Sequence, residues 1–122
     1  MRNVLLPTDF SDNSWNAIKY ALRFFSKINC NFYLLHVSRL SHLESDDIAL
    51  SIDQEYIESV YTKPAKKELR NILKRISKLM PDHQSHKFYT LTDYNFFIES
   101  IRKTVREKNI DFIVMGTKGA SG

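Results

Sequence analysis

Residues 32–37 read Phe32-Tyr33-Leu34-Leu35-His36-Val37, a nearly continuous apolar run. A strand with one wet face alternates polar and apolar positions, whereas one covered on both faces does not. The run therefore predicts a central strand of a parallel sheet. Asn3 to Leu6 repeats the pattern, too short for a helix and stopped by Pro7. Asp111-Phe112-Ile113-Val114-Met115 repeats it again and predicts a final buried strand running into Gly116. His86 to Leu91 alternates and predicts a strand nearer the sheet edge.

The intervening segments read as helices. Ser11 or Asp12 can cap a helix in which Trp15, Ile18, Ala21, Leu22, Phe25 and Ile28 form one apolar stripe, ended by Asn29-Cys30-Asn31. Ser38 to Tyr61 is the least readable stretch, a loop with a weak helix around Asp53 to Tyr61. Thr62 and Pro64 suit a helix start, and Ala65, Leu69, Ile72, Leu73, Ile76, Leu79 and Met80 form a strong stripe closed by Pro81. Asp93 is expected to cap a helix through Lys108, with Phe97, Ile98, Ile101 and Val105 inward. Regular alternation of strand and helix predicts an α/β fold, an open parallel sheet with helices on both faces and right-handed crossovers.

Composition narrows the function. A length of 122 residues fits one domain, and 43% apolar with 26% charged residues is an ordinary globular balance. No apolar run approaches the roughly 18 residues that a spanning helix needs, no signal-peptide core follows Met1, and Cys30 stands alone. A cytoplasmic protein with no membrane partner is expected. The net charge of +4 has an uneven origin: six acids and no base lie between Glu44 and Glu58, and seven bases with one acid between Lys63 and Lys78. Neither block is interleaved with exposed aromatics or set in a recognisable module, so no nucleic-acid partner is expected and a solvated helix face is the simpler account.

Ligands of open parallel sheets sit beyond the carboxyl ends of the strands. Three segments should meet there: Pro7-Thr8-Asp9, His36-Val37-Ser38 and Gly116-Thr117-Lys118-Gly119-Ala120-Ser121-Gly122. The chain has only three glycines, where about 7% usage would give roughly eight or nine, and all three fall in that last segment. Residues without a β-carbon let backbone N–H groups converge on an anion, with Lys118 adding charge and Ser121 a hydroxyl. By spacing alone, Gly-x-x-Gly-x-x-Gly supports phosphate binding and a loose terminal loop equally, because it matches neither the dinucleotide fingerprint nor the common phosphate-binding loop. Asp9 could accept from ribose hydroxyls, hold magnesium, or cap the following helix. A cap at Ser11 or Asp12 would leave it free.

Asn3 to Ser11, Leu34-Leu35-His36-Val37 and Asp111 to Gly122, in this order, resemble the universal stress protein family. The resemblance spans the whole chain. It implies an adenine nucleotide alpha-hydrolase-like, Rossmann-like fold, a five-stranded parallel sheet, frequent dimers, and in one branch bound ATP. By that resemblance Asp9 would meet ribose or phosphates, and Pro7 and Thr8 would shape the wall beside it. Val37 would offer main-chain groups to adenine, Met115 and Gly116 would line base and sugar, and Gly116, Lys118, Gly119, Ser121 and Gly122 would border the phosphates. The family motif continues for about nine residues past its second glycine into a fifth strand. Here it stops at Gly122, so a domain incomplete at its C-terminus, with its last strand missing, is expected, as the first of a tandem pair or as a homodimer.

The leading expectation is an adenine-nucleotide-binding domain (ATP, AMP or ADP) in stress response or signalling. No positioned general base is evident, which limits catalysis to slow ATP hydrolysis. The alternative is a dimerisation or interaction module of the same fold that binds no nucleotide. An adenylate-forming enzyme would need a glycine loop after the first strand, which Pro7-Thr8-Asp9-Phe10-Ser11 lacks. His83 and His86 have no third zinc ligand nearby, Cys30 reads as a packing residue at a helix end, and Trp15 as core.

Overall fold

The computed structural model describes residues 1–39, 53–80 and 85–116. Four parallel strands, β1 (Arg2–Pro7), β2 (Cys30–Arg39), β3 (His86–Asn95) and β4 (Phe112–Ile113), lie in the order β3-β2-β1-β4. The chain builds outward from β1 through β2 to β3 and then returns to the other side of β1. That reversal beside β1 is where an open α/β sheet leaves a crevice.

Alternate residues of the central strands face opposite layers. Val4, Leu6, Phe32 and Leu34 pack with Ile18, Ala21, Leu22 and Phe25 from α1 (Asp12–Phe24) and its end, and with Leu69, Ile72 and Ile76 from α3 (Lys63–Leu79). Leu5, Leu35 and Val37 face Phe97, Ile101 and Val105 of α4 (Phe97–Glu107) on the other side. Both faces are covered, which is why β1 and β2 read as unbroken apolar runs.

The helices begin and end for local reasons. Ser11 caps α1, its Oγ accepting from the Ser14 N–H at 3.2 Å. The weak helix expected around Asp53 to Tyr61 is α2 (Gln54–Ile57), capped by Asp53, and it passes into a π-helical turn over Glu58–Thr62 and then into α3 without a break. Thr62 is helical and caps nothing. Pro64 has no N–H to give the preceding turn and its ring crowds that turn, so widening the helix there relieves the conflict.

Other expectations change. Asp93 lies within β3 rather than capping α4: pairing with β2 carries β3 through Asn95. From there Asp93 Oδ2 accepts from Ser100 Oγ at 2.7 Å and from Lys103 Nζ at 3.1 Å. Ile98 points outward, 57% exposed. Phe112 and Ile113, read as a buried strand, are 44% and 47% exposed, because among the described residues β4 pairs only with β1. Cys30 opens β2 rather than ending α1, and burial raises its thiol pKa, which suits packing rather than nucleophilic chemistry. Trp15 packs half-buried against the core as expected, with the Arg75 guanidinium 4.0 Å from its ring centre. The acidic and basic blocks meet weakly at Glu58 and Lys66, 4.0 Å apart. Pro81 and His83 lie outside the described residues.

Burial raises the Asp93 pKa, but hydrogen bonds from Ser100, Lys103 and Asn95 outweigh it and hold the carboxyl below its usual value. A depressed carboxylate pKa contributes stability that is complete above the unfolded value of about 3.9 and is lost as pH falls through the folded one. Asp93→Asn should therefore flatten the loss of stability below about pH 4, measured by urea unfolding across pH. An unchanged slope would contradict this role.

Candidate functional site

The sheet's carboxyl ends open into one concavity of about 570 Å³. Pro7, Thr8 and Asp9 line it from the end of β1, Val37 from β2, and Met115 and Gly116 from just past β4. All six had been expected at a site, and the fold brings them together. Lys118, Gly119, Ser121 and Gly122 lie outside the described residues, as does Thr117.

The β1–α1 turn is tightly organised. Phe10 sits at φ 67°, in the left-handed region that a bulky residue enters at a cost of about 1–2 kcal/mol. The turn is held by Thr8 Oγ1, which accepts from the Phe10 N–H at 3.0 Å and bonds Ser14 Oγ at 2.9 Å, and by the Phe10 ring stacked 4.4 Å from His36. Because a carbonyl only accepts, His36 donates its Nδ1 proton to the Thr8 carbonyl oxygen, 2.8 Å away, which fixes the ring's tautomer and orientation. Phe10→Gly relieves the backbone but loses the ring, whereas Phe10→Ala loses the ring and keeps the strain. Thermal melting should therefore place Phe10→Ala below Phe10→Gly by about 1 kcal/mol, the reverse of the usual alanine–glycine order.

Asp9, expected to be free once Ser11 caps α1, is instead engaged. Its Oδ1 accepts from both the N–H, at 3.0 Å, and the Oγ of Ser11. The Ser11 hydroxyl bond is the main cause of its lowered pKa, partly opposed by burial. At neutral pH the turn thus presents an oriented carboxylate on the concavity wall. Gly116 closes the rim: a β-carbon there would stand 2.8 Å from the Asn13 carbonyl oxygen and 3.0 Å from its side-chain nitrogen. The strand end touches the start of α1 so closely that only glycine fits.

Sequence reasoning had placed His36 and Ser38 around the cleft but had not foreseen Arg39, Tyr61 and Phe97 in its wall. Arg39 ends β2, Tyr61 comes from the π-helical turn, and Phe97 starts α4. Among the described residues no group of three His, Cys, Asp or Glu side chains could hold a metal ion. Magnesium at Asp9 would need most of its oxygen ligands from a bound phosphate. Also among the described residues, no helix is long and apolar enough to cross a membrane.

The architecture has relatives. The hypothetical protein MJ0577 is 25% identical, with a TM-score of 0.69 over 99% of this chain and 78% of that one. Universal stress protein UspA from Lactobacillus plantarum gives 18% identity and a TM-score of 0.65 over 98% and 81%. A universal stress protein in complex with cAMP gives 18% and 0.62 over 99% and 80%. A search of curated proteins returned no match. The universal stress protein family profile matches residues 1–122. The strand order, the crevice beside β1 and a match along the full length agree: the chain belongs to the universal stress protein family.

Proposed function

We propose that the concavity at the strand ends binds an adenine nucleotide, ATP or its shorter forms, and that this binding serves a cytoplasmic stress-response or signalling role rather than fast catalysis. The observation that carries the reading is that Asp9, Val37 and Gly116 line one concavity at the strand ends together with the start of α1. Gly116 packs its backbone against Asn13, which brings the end of β4 to the start of the 13-residue helix α1, and that helix N-terminus favours negative charge. Asp9 would accept from the ribose through the oxygen not engaged by Ser11, Val37 would meet adenine through its main chain, and Met115 would cover the sugar. Pro7 and Thr8 hold that wall in place. Lys118, Gly119, Ser121 and Gly122 would continue the phosphate border. Magnesium, if present, would arrive with the nucleotide. The universal stress protein solved with cAMP supports a nucleotide in this fold.

Isothermal titration of ATP into the full chain tests this. One saturable site is expected, weakened about tenfold or more by Asp9→Ala, since a bond to a charged acceptor is worth about 1.5–3 kcal/mol. Absence of heat from the unsubstituted protein would defeat the nucleotide reading.

The exposed Phe112 and Ile113 on the β4 edge favour a second role, pairing with another copy or with a tandem domain. Ile113→Lys should then shift the sedimentation coefficient toward monomer. A monomeric unsubstituted protein would remove the homodimer.

A further inference from the structure

We infer that Arg39 and Tyr61 are base-binding residues of the concavity's second wall, gripping the base of the nucleotide rather than its phosphates. The assignment rests on the nucleotide reading above, but it draws on residues which that reading does not use.

Three planar groups meet on this wall from three separate elements. Arg39 lies over Phe97, its guanidinium carbon 4.9 Å from the ring centre, and it forms no ion pair among the described residues. The contrast with Lys103, on the same helix as Phe97, is informative, because that cation is paired with Asp93 at 3.1 Å. Arg39 is exposed and lines the concavity, so a guanidinium resting against the Phe97 ring has N–H donors to offer a ligand there. Tyr61 reaches the wall because the π-helical turn over Glu58–Thr62 rotates the chain just before α3, and Tyr94 holds its ring at 4.9 Å and 44°. A regular helix would aim position 61 differently, and single π turns inside helices recur at functional sites.

The chemistry of this wall suits a flat heterocycle. Aromatic rings offer faces to any base, and a guanidinium stacks on bases while donating to ring nitrogens at their edge. A wall meant for phosphate would present backbone N–H groups or a forked cation without rings, and those features lie on the opposite side, at Gly116 and the start of α1. Arg39 also follows Val37 by two residues on the same face of β2, the face that carries the α4 layer. It therefore flanks the position at which the main chain of Val37 would meet adenine.

Neutral adenosine separates the two ends of the ligand. Adenosine, AMP and ATP are titrated into the full chain and into Arg39→Ala, Arg39→Lys and Tyr61→Leu, with melting curves as a control. Each substitution should weaken all three ligands by the same factor, roughly 10- to 100-fold for loss of a stacking partner. Arg39→Lys, which keeps the charge but not the plane, should behave like Arg39→Ala. Unchanged affinities would overturn the assignment, as would a loss confined to AMP and ATP, since that places Arg39 at the phosphates. If the unsubstituted protein bound none of the three, the nucleotide reading would fall and this assignment with it. Failure of the substitutions alone would leave that reading intact.

Discussion

Gly116→Val is expected to lower ATP affinity at least 100-fold, about 2.7 kcal/mol, while changing the melting temperature little. The added β-carbon would stand 2.8 Å from the Asn13 carbonyl oxygen, closer than β-carbons approach any atom, and the neighbour is backbone at the start of a capped helix. Something must move. The helix is anchored by Ser11 and by Ile18, Ala21 and Leu22 in the core, whereas β4 is two residues long and pairs with β1 only at Val4 and Leu5. The end of β4 therefore yields, and the rim opens. Stability changes little because Phe112 and Ile113 are already half exposed. Titration calorimetry beside a melting curve checks both halves, and a variant that binds normally would place the phosphates elsewhere.

Phe32→Ala should carry the largest loss of stability, about 3–5 kcal/mol. Phe32, the third residue of β2, is wholly buried. Its ring stacks on Phe88 at 5.3 Å and meets His86 and Phe25 edge-on at 5.0 and 6.3 Å. Truncation leaves a cavity between the sheet and the α1 and α3 layer that neither helix can close, because Leu69, Ile72 and Ile76 already pack there. Against a total stability of roughly 5–15 kcal/mol, such a loss leaves a marginal fold. Urea unfolding should show the midpoint fall with the slope unchanged. A loss under about 1.5 kcal/mol, the range of volume-conserving core swaps, would mean that the core repacks around the gap.

How legible these features were in the sequence follows from how local their causes are. Burial on both faces leaves an unbroken apolar run, so Val4 to Leu6 and Phe32 to Val37 gave away the parallel sheet. The α3 stripe was equally plain because its period is intrinsic. Asp111 to Met115 looked like another buried strand, yet burial needs neighbours, and the same residues on an edge stay half exposed. Asp93 beside a helical pattern looked like a cap, but ladder pairing with β2 outweighed the weak strand preference of Asp and Asn. The first wall of the concavity was readable because strand ends, an acid and a glycine fall where an open sheet places ligands. The second wall was not. Arg39, Tyr61 and Phe97 are distant in sequence, and Tyr61 turns toward the cleft only because a π-helical turn precedes Pro64, a shift invisible to a 3.6-residue period.

Binding of an adenine nucleotide at the strand-end concavity is tested by amide chemical shifts recorded as ATP is added to the isotopically labelled chain. Saturable changes are expected, concentrated in Thr8 to Ser14, Val37 to Arg39, Tyr61 and Met115 to Gly116, with the outward face of α3 unmoved. No shifts at millimolar ATP, or shifts gathered on the α3 lysines instead, would contradict it.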